Sequence, residues 1–250
     1  MMLTAEKWRI FDGLLRDEAW SLERLRYHAG RLLDDSAVED KTILDIGCGR
    51  GAFSIFFALS GARSVTGIDP AGPGGTDDAL NTLSDRIRAL ELTNCQFIPA
   101  PFESGAFESC SFDLLFLRYV INHLHEIEGD LLKNGRAREI YRRYFGEMFR
   151  IARPGARVII SDTSCVNAFA PLVKLGLRHP VAGLAEIEWE THQRPKTWIA
   201  LMHESGFEFV SRSWYVPAPL RRLGWLFDNT LINYFTFSLY TLRFQRPHGC

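Results

Sequence analysis

The spacing of apolar positions changes period twice along the chain. Trp8, Phe11, Leu14, Leu15, Leu22, Leu25 and Leu32 recur at helical intervals, which predicts two N-terminal helices before residue 42, with Gly30 interrupting the pattern. From residue 42 onward, short β-rich runs alternate with helical patterns. Residues 42–46, 64–69, 95–100, 112–120 and 157–162 predict strands. Residues 51–60, 77–92 and 130–151 predict helices, the last stopped by Arg153-Pro154-Gly155. Such alternation specifies a parallel sheet with helices on both faces. Residues 207–216 and 234–244 predict two more strands around a short helix near 219–228, an antiparallel pair that closes the sheet. Residues 163–194 lack a long regular pattern but are rich in Leu, His, Pro and Trp, which suits an ordered lid. The expected fold is α/β: a doubly wound, seven-stranded, mostly parallel sheet with an antiparallel last strand, N-terminal helices and a lid insertion after strand five.

Composition narrows the partners. With 250 residues, 46% of them hydrophobic, the chain can bury a sizeable core. A formal net charge of −1 gives no broad positive surface, so nucleic acid is not an expected partner. Cys48, Cys95, Cys110, Cys165 and Cys250 are odd in number and lack CxxC spacing, which predicts reduced thiols, neither a disulfide framework nor a zinc site. The first residues mix charges with apolar positions and lack the apolar run of a signal peptide, so a cytoplasmic location is expected. The apolar stretch 231–242 is interrupted by Asn233, Thr236, Ser238 and Thr241 and is shorter than the ~20 residues of a membrane span. It reads as a buried strand, and no membrane partner is expected. Nothing in the sequence specifies an oligomeric state.

The chemistry begins where the first strand runs into Gly47, Gly49 and Gly51 and then a helix, a turn tight enough for a ligand to reach backbone amides at a helix N-terminus. Gly47-x-Gly49-x-x-Ala52 also fits a dinucleotide pattern, and Asp69 stands where a ribose-binding acid would follow, so an NAD(P)-dependent oxidoreductase is an alternative. Asp45 separates the two. A diphosphate would repel a carboxylate two residues before the first glycine, whereas S-adenosyl-L-methionine brings a sulfonium and an α-ammonium that gain from it. The missing Tyr-x-x-x-Lys pair also argues against the oxidoreductase.

Leu44-Asp45-Ile46-Gly47-Cys48-Gly49-Arg50-Gly51 resembles the first motif of class I (Rossmann-like) S-adenosylmethionine-dependent methyltransferases, and Gly67-Ile68-Asp69 resembles their second. Ser111-Phe112-Asp113-Leu114-Leu115 is similar to the fourth-strand motif, and Arg150-Ile151-Ala152-Arg153-Pro154-Gly155 to the turn before strand five. The resemblance implies S-adenosyl-L-methionine as cofactor and S-adenosyl-L-homocysteine as product. It implies cofactor contacts from Asp45, Gly47, Cys48, Gly49, Asp69, Pro70, Pro101, Phe102, Glu103, Arg118 and Tyr119. One departure stands out: no acid directly follows the third strand, so Phe102 stacking and backbone groups would recognise adenine, with Glu103 a further contact. Gly72-Pro73-Gly74-Gly75 reads as a rim of the ribose site or as a surface loop. The implied organisation is one methyltransferase domain over 1–250: helices in 1–41, a cofactor-binding core in 42–162, an acceptor-binding lid in 163–194 and the rest of the sheet in 195–250.

The methyl acceptor should meet the carboxyl ends of the strands, the lid and the N-terminal helices. By the same resemblance, the segment Arg118-Tyr119-Val120-Ile121-Asn122-His123-Leu124-His125 borders cofactor and acceptor. His123 is the first candidate for a general base and His125 the second, since an imidazole suits removal of a proton from a hydroxyl or ammonium. The lid adds His179, Glu186, Glu188, Trp189, Glu190, His192 and Arg194. Asp162 is followed by Thr163 and not by Asn, and strand four ends in Arg118, so no metal is predicted. Signatures for DNA amines, pyrimidine carbon and protein arginine are missing. The expected function is methyl transfer to an O or N atom of a small-molecule metabolite, as in natural-product or glycan biosynthesis. A methyltransferase-like protein that binds the cofactor without turnover is a further alternative.

Overall fold

The helical spacing near the start of the chain forms α1 (Thr4–Arg16) and α2 (Leu22–Leu33) in the computed structural model, which describes residues 3–16, 20–34, 36–70, 79–178 and 187–249. Ser21 starts α2, its Oγ accepting the Arg24 N–H at 3.2 Å. Gly30 does not interrupt this helix. Burial of Leu25, Ala29, Leu32 and Leu33 from the same face outweighs the ~1 kcal/mol that an interior glycine costs.

The alternating region follows as β1 (Thr42–Ile46), α3 (Ala52–Leu59), β2 (Ser64–Ile68), α4 (Ala79–Ala89), β3 (Cys95–Ile98) and β4 (Phe112–Arg118). Then come α5 (Gly135–Ile151), β5 (Ala152–Thr163), α6 (Ala170–Lys174), α7 (Pro195–Glu204), β6 (Glu208–Trp214), α8 (Gly224–Phe227), α9 (Thr230–Tyr234) and β7 (Leu239–Gln245). The sheet has seven strands in the order β3-β2-β1-β4-β5-β7-β6, parallel between β1, β2, β3 and β4 and antiparallel between β6 and β7. This is the α/β architecture that the alternation predicts.

Two compact units divide the chain: Met1–Arg118 with Arg150–Ile159 and His248–Cys250, and Tyr119–Phe149 with Ile160–Pro247. In the first, α3 is apolar nearly all round and buries Phe53, Ile55 and Phe57. The rings of Phe53 and Phe57 lie 5.0 and 5.1 Å from that of Phe116 on β4. Each such ring contributes about 1.5–3 kcal/mol through removal from water. In the second unit, Tyr141 and Phe145 of α5 pack on Trp198 of α7, at 5.0 and 6.2 Å.

Several boundaries differ from the sequence expectation for identifiable reasons. The helix predicted from residue 130 begins as a 3-10 turn, Leu131–Lys133, because Asn134 caps a fresh start by accepting the Ala137 N–H at 3.1 Å. Arg153-Pro154-Gly155 is not a loop but the beginning of β5. Arg153 is pinned there by Asp113 Oδ2, at 2.6 Å from Nη1, and by the Cys110 carbonyl, at 3.2 Å from Nε. Residues 231–242 are not one strand. Asn229 Oδ1 accepts the Ile232 N–H at 2.9 Å and starts α9, and β7 begins only after Ser238. The helix α7 was hidden behind a chain of polar residues, although Pro195 at its first turn and the buried Trp198, Leu201 and Met202 carry its signature. Residues 77–78, within a predicted helix, lie outside the described residues.

Gly51 tests how tightly the first unit is packed. Its φ is +78°, and a Cβ there would lie 2.2 Å from Leu83 Cδ1. Gly51→Ala is expected to destabilise the fold by about 1–3 kcal/mol, read as a lower urea midpoint with an unchanged slope.

Candidate active site

The loop after β1 is shaped by backbone geometry that side chains other than glycine resist. Gly47, Gly49 and Gly51 have φ of +69°, +52° and +78°. The Gly47 and Cys48 amides both reach the Ile68 carbonyl, at 2.8 and 3.2 Å, so the loop turns over the end of β2. Gly67 on β2 keeps this approach open, since a Cβ there would come within 2.8 Å of Cys48 Sγ. Burial pushes the Cys48 thiol well above its ordinary range, which leaves it a neutral lining group.

Two carboxyls stand at the ends of the first two strands. Asp69 is buried and accepts the Gly49 N–H at 3.0 Å through Oδ2. Asp45 is 3% exposed and accepts from Ser54 Oγ at 2.6 Å. Burial pushes Asp45 up to about 7; the Ser54 hydrogen bond opposes this, the Asp69 charge adds to it, and the Arg118 guanidinium opposes it. Arg118, at the end of β4, lies over the rings of Trp20 and Phe53, whose centroids are 5.3 and 5.1 Å from its guanidinium carbon. His28 of α2 is held neutral nearby, its pKa lowered to about 4 by burial and then by Arg118 and Arg24. The N-terminal segment therefore positions Arg118, a contact that sequence spacing did not reveal.

The remaining expected cofactor contacts are more dispersed. Pro101, Phe102 and Glu103 form the start of a 3-10 turn after β3. Phe102 is buried, its ring 6.5 Å from that of Phe107, while Pro101 and Glu103 are exposed. Pro70 follows Asp69 and is partly buried. Gly72, Pro73, Gly74 and Gly75 lie outside the described residues. Tyr119, the first residue of the second unit, is 42% exposed with φ +57°. A non-glycine residue in that region stores strain of the kind that clusters at functional sites.

In the second unit the segment after β4 is held by α5. Tyr141 donates its hydroxyl to the Ile121 carbonyl at 2.8 Å, and Tyr144 to the Leu124 carbonyl at 3.0 Å. Asn122 Oδ1 accepts the Gln193 N–H at 2.9 Å, and Gln193 in turn reaches Leu131 and Gly129. His123 projects from this frame, with Nδ1 2.9 Å from Glu126 Oε1. A carboxylate only accepts, so Nδ1 is the donor, and in the neutral ring the lone pair is on Nε2. The ring of His192 stands 5.8 Å from that of His123, edge to face. His192 Nδ1 donates to the Glu188 carbonyl at 2.9 Å, and Nε2 lies 3.8 Å from Asp162 Oδ1. Burial pushes the Asp162 carboxyl above the usual carboxylate range, with His192 the strongest opposing influence.

The structure thus gathers His123, Glu126, His192 and Asp162, of which only His123 had been singled out as a base. His125 does not join them; its backbone is tied to Tyr141, whose hydroxyl receives the His125 N–H at 3.4 Å. Of the lid residues, His179 and Glu186 lie outside the described residues. Glu190 pairs with Lys174 at 2.5 Å, and Trp189 is buried. Among the described residues no group of three or more His, Cys, Asp or Glu could hold a metal ion.

Comparison with known proteins decides what this arrangement belongs to. A family model described as a methyltransferase domain matches residues 21–212. The chain belongs to the methyltransferase-domain family. S-adenosyl-L-methionine is accordingly its cofactor, and the nicotinamide alternative falls away. The residues present suit that group: a glycine turn open to close approach, Asp69 beside the Gly49 amide, and Asp45 whose carboxyl is poised to gain charge beside a cation. The methyltransferase is 32% identical over 87 residues to protein arginine N-methyltransferase 1 of Schizosaccharomyces pombe, a match covering 34% of this chain and 25% of that one. The chain therefore spans only a quarter of the length of that relative. An S-adenosylmethionine-dependent methyltransferase from Aquifex aeolicus shares the fold, with a TM-score of 0.59 at 14% identity over 98% of this chain and 99% of that one. Geranyl diphosphate C-methyltransferase from Streptomyces coelicolor A3(2), crystallised with S-adenosyl-L-homocysteine, gives the same TM-score at 14% identity over 90% and 81% of the two chains.

The raised pKa of Asp45 gives a signed expectation. The folded pKa of about 7 lies above the ordinary aspartate value of 3.8, so folding takes up a proton between these values and stability falls as pH rises through that window. Asp45→Asn removes the cost of the buried charge. Its thermal midpoint should match the parent at acidic pH and exceed it by a few degrees at pH values above 7, as followed by circular dichroism.

Proposed function

We propose that this methyltransferase transfers a methyl group from S-adenosyl-L-methionine to an O or N atom of a small polar metabolite, with His123 removing the acceptor's proton. When bound, the cofactor supplies a methyl carbon made electrophilic by its sulfonium. Asp69 would hold the ribose hydroxyls, and Gly47, Cys48 and Gly49 would line the approach. Asp45 and Arg118 would set the charge around the methionine end, and Pro70, Pro101, Phe102, Glu103 and Tyr119 would border the remainder.

The observation that carries the reading is the orientation of His123. Its Nδ1 is committed to Glu126 Oε1 at 2.9 Å, which leaves Nε2 as the proton acceptor on an exposed ring. Glu126 orients the imidazole and stabilises the cation formed when the proton arrives. A protein arginine side chain is the second reading, favoured by the 32% identity to an arginine methyltransferase. Methyl-labelled cofactor offered with phenols, sugars, primary amines and an arginine-rich peptide separates the two. Label on hydroxyls or amines supports the first reading, and label confined to the peptide overturns it.

Two substitutions divide binding from chemistry. Asp69→Ala should weaken S-adenosyl-L-homocysteine binding by about 1.5–3 kcal/mol, measured by calorimetry. His123→Ala should lower turnover about 10²–10⁴-fold while that affinity stays within twofold; unchanged turnover removes His123 from the chemistry.

A further inference from the structure

His192 and Asp162 stand near His123 in the same compact unit and have no part in the chemistry assigned so far. His123 by itself is weakly held. Its side chain is 43% exposed and that of Glu126 59%. Among the described residues its imidazole makes one hydrogen bond, to Glu126, and one ring contact, to His192. An exposed pair three residues apart is screened by water and contributes too little to hold a ring in one orientation.

His192 has the rigidity that His123 lacks. It is 7% exposed, and its Nδ1 is the donor to the Glu188 carbonyl at 2.9 Å, since a carbonyl only accepts. Nε2 then faces Asp162 Oδ1 at 3.8 Å, an ion-pair separation. A flip of this ring would give up both partners. Asp162 is fixed in turn, fully buried and with Oδ1 accepting the Thr163 N–H at 2.7 Å. The backbone sets the two histidines side by side: Asn122 Oδ1 accepts the Gln193 N–H at 2.9 Å, and each of these residues adjoins one of the histidines in sequence. The two rings meet edge to face, with 5.8 Å between centroids and 87° between planes, a geometry that is lost if either ring turns.

An acid in this place is costly if it serves packing alone. Burial raises the Asp162 carboxyl above the usual carboxylate range, and His192 and, more weakly, His123 oppose that shift. Both imidazoles therefore interact with one buried carboxyl, and His192 is the nearer link.

We propose that His192, braced by Asp162, is a positioning residue for methyl transfer: its ring edge fixes the ring of His123, so that Nδ1 stays on Glu126 and Nε2 stays free to take the acceptor's proton. The role in transfer rests on His123 being the base. The ring-to-ring restraint does not, and it can be measured without any acceptor.

Nitrogen NMR of the full chain labelled at histidine, with S-adenosyl-L-homocysteine bound, reads the restraint directly. The His123 signals are assigned by their loss in His123→Ala. In the parent, the neutral His123 ring should show a single tautomer with the proton on Nδ1. His192→Asn keeps a donor for the Glu188 carbonyl but removes the ring edge, and it should move both His123 nitrogens toward the averaged positions of exchanging tautomers. Asp162→Ala, which acts through His192, should cause a smaller shift in the same direction. Parental S-adenosyl-L-homocysteine affinity in each variant shows that the fold survives, and His192→Asn carries the test if Asp162→Ala does not fold. Mixed tautomers in the parent overturn the proposal, as do His123 nitrogens unchanged by His192→Asn, the result expected if His192 only packs. Failure of the base reading is a different result, unchanged turnover in His123→Ala.

Discussion

At the carboxyl ends of β1 and β2 the chain buries two acids next to each other, Asp45 and Asp69, on strands whose register pairs Asp45 with Gly67 and Ile46 with Ile68. Like charges in a low-dielectric setting resist joint ionisation. The fold answers this unequally. Asp69 receives a backbone amide from the glycine loop, whereas burial pushes Asp45 up to about 7 against the hydrogen bonds it receives from the Ser54 hydroxyl and amide. The Asp69–Gly49 hydrogen bond also fixes the loop, because it joins the end of β2 to the turn that follows β1. Much of the first unit serves this arrangement: Gly67 lets the loop come close, Gly51 admits Leu83, and Arg118 brings compensating positive charge.

The helices before β1 have a share in that electrostatic balance. The rings of Trp20 and Phe53 both lie against the Arg118 guanidinium, and burial first, then Arg118 and Arg24, keeps His28 neutral beside it. A basic group already held against aromatic faces loses little rotamer freedom when it acts on a ligand. The second unit solves a related problem with different means. Two tyrosines of α5 and the Asn122–Gln193 contact hold the segment after β4, so that His123 can project from a fixed backbone with its tautomer set by Glu126.

Motifs were legible wherever a residue type had a local reason. Gly47, Gly49 and Gly51 adopt positive φ, and Asp69 ends its strand as an acid beside them. Boundaries failed where local signals competed. The helix stops at Ile151, before Pro154 and Gly155, as expected, yet the strand starts at Ala152 and not near 157, because Arg153 anchors it through Asp113 on β4, 40 residues away in sequence. Residues 231–242 looked like a strand until an asparagine cap set off a helix in their first half. His123 was recognisable as a candidate, but its companions were not, because Asp162 and His192 lie 39 and 69 residues further along the chain.

By itself the sequence determined the alternation of strands and helices, the glycine turn, the two acids and hence the cofactor class, since each depends on residues close together in the chain. Tertiary structure alone decided that the Asp45 carboxyl is pushed up to about 7, that Arg118 lies against two aromatic rings, and that His192 and Asp162 stand near His123. It also decided which apolar residues remain uncovered, for periodicity marks a hydrophobic face but burial depends on what packs against it. These properties arise from desolvation and from contacts between distant segments, which no local pattern encodes.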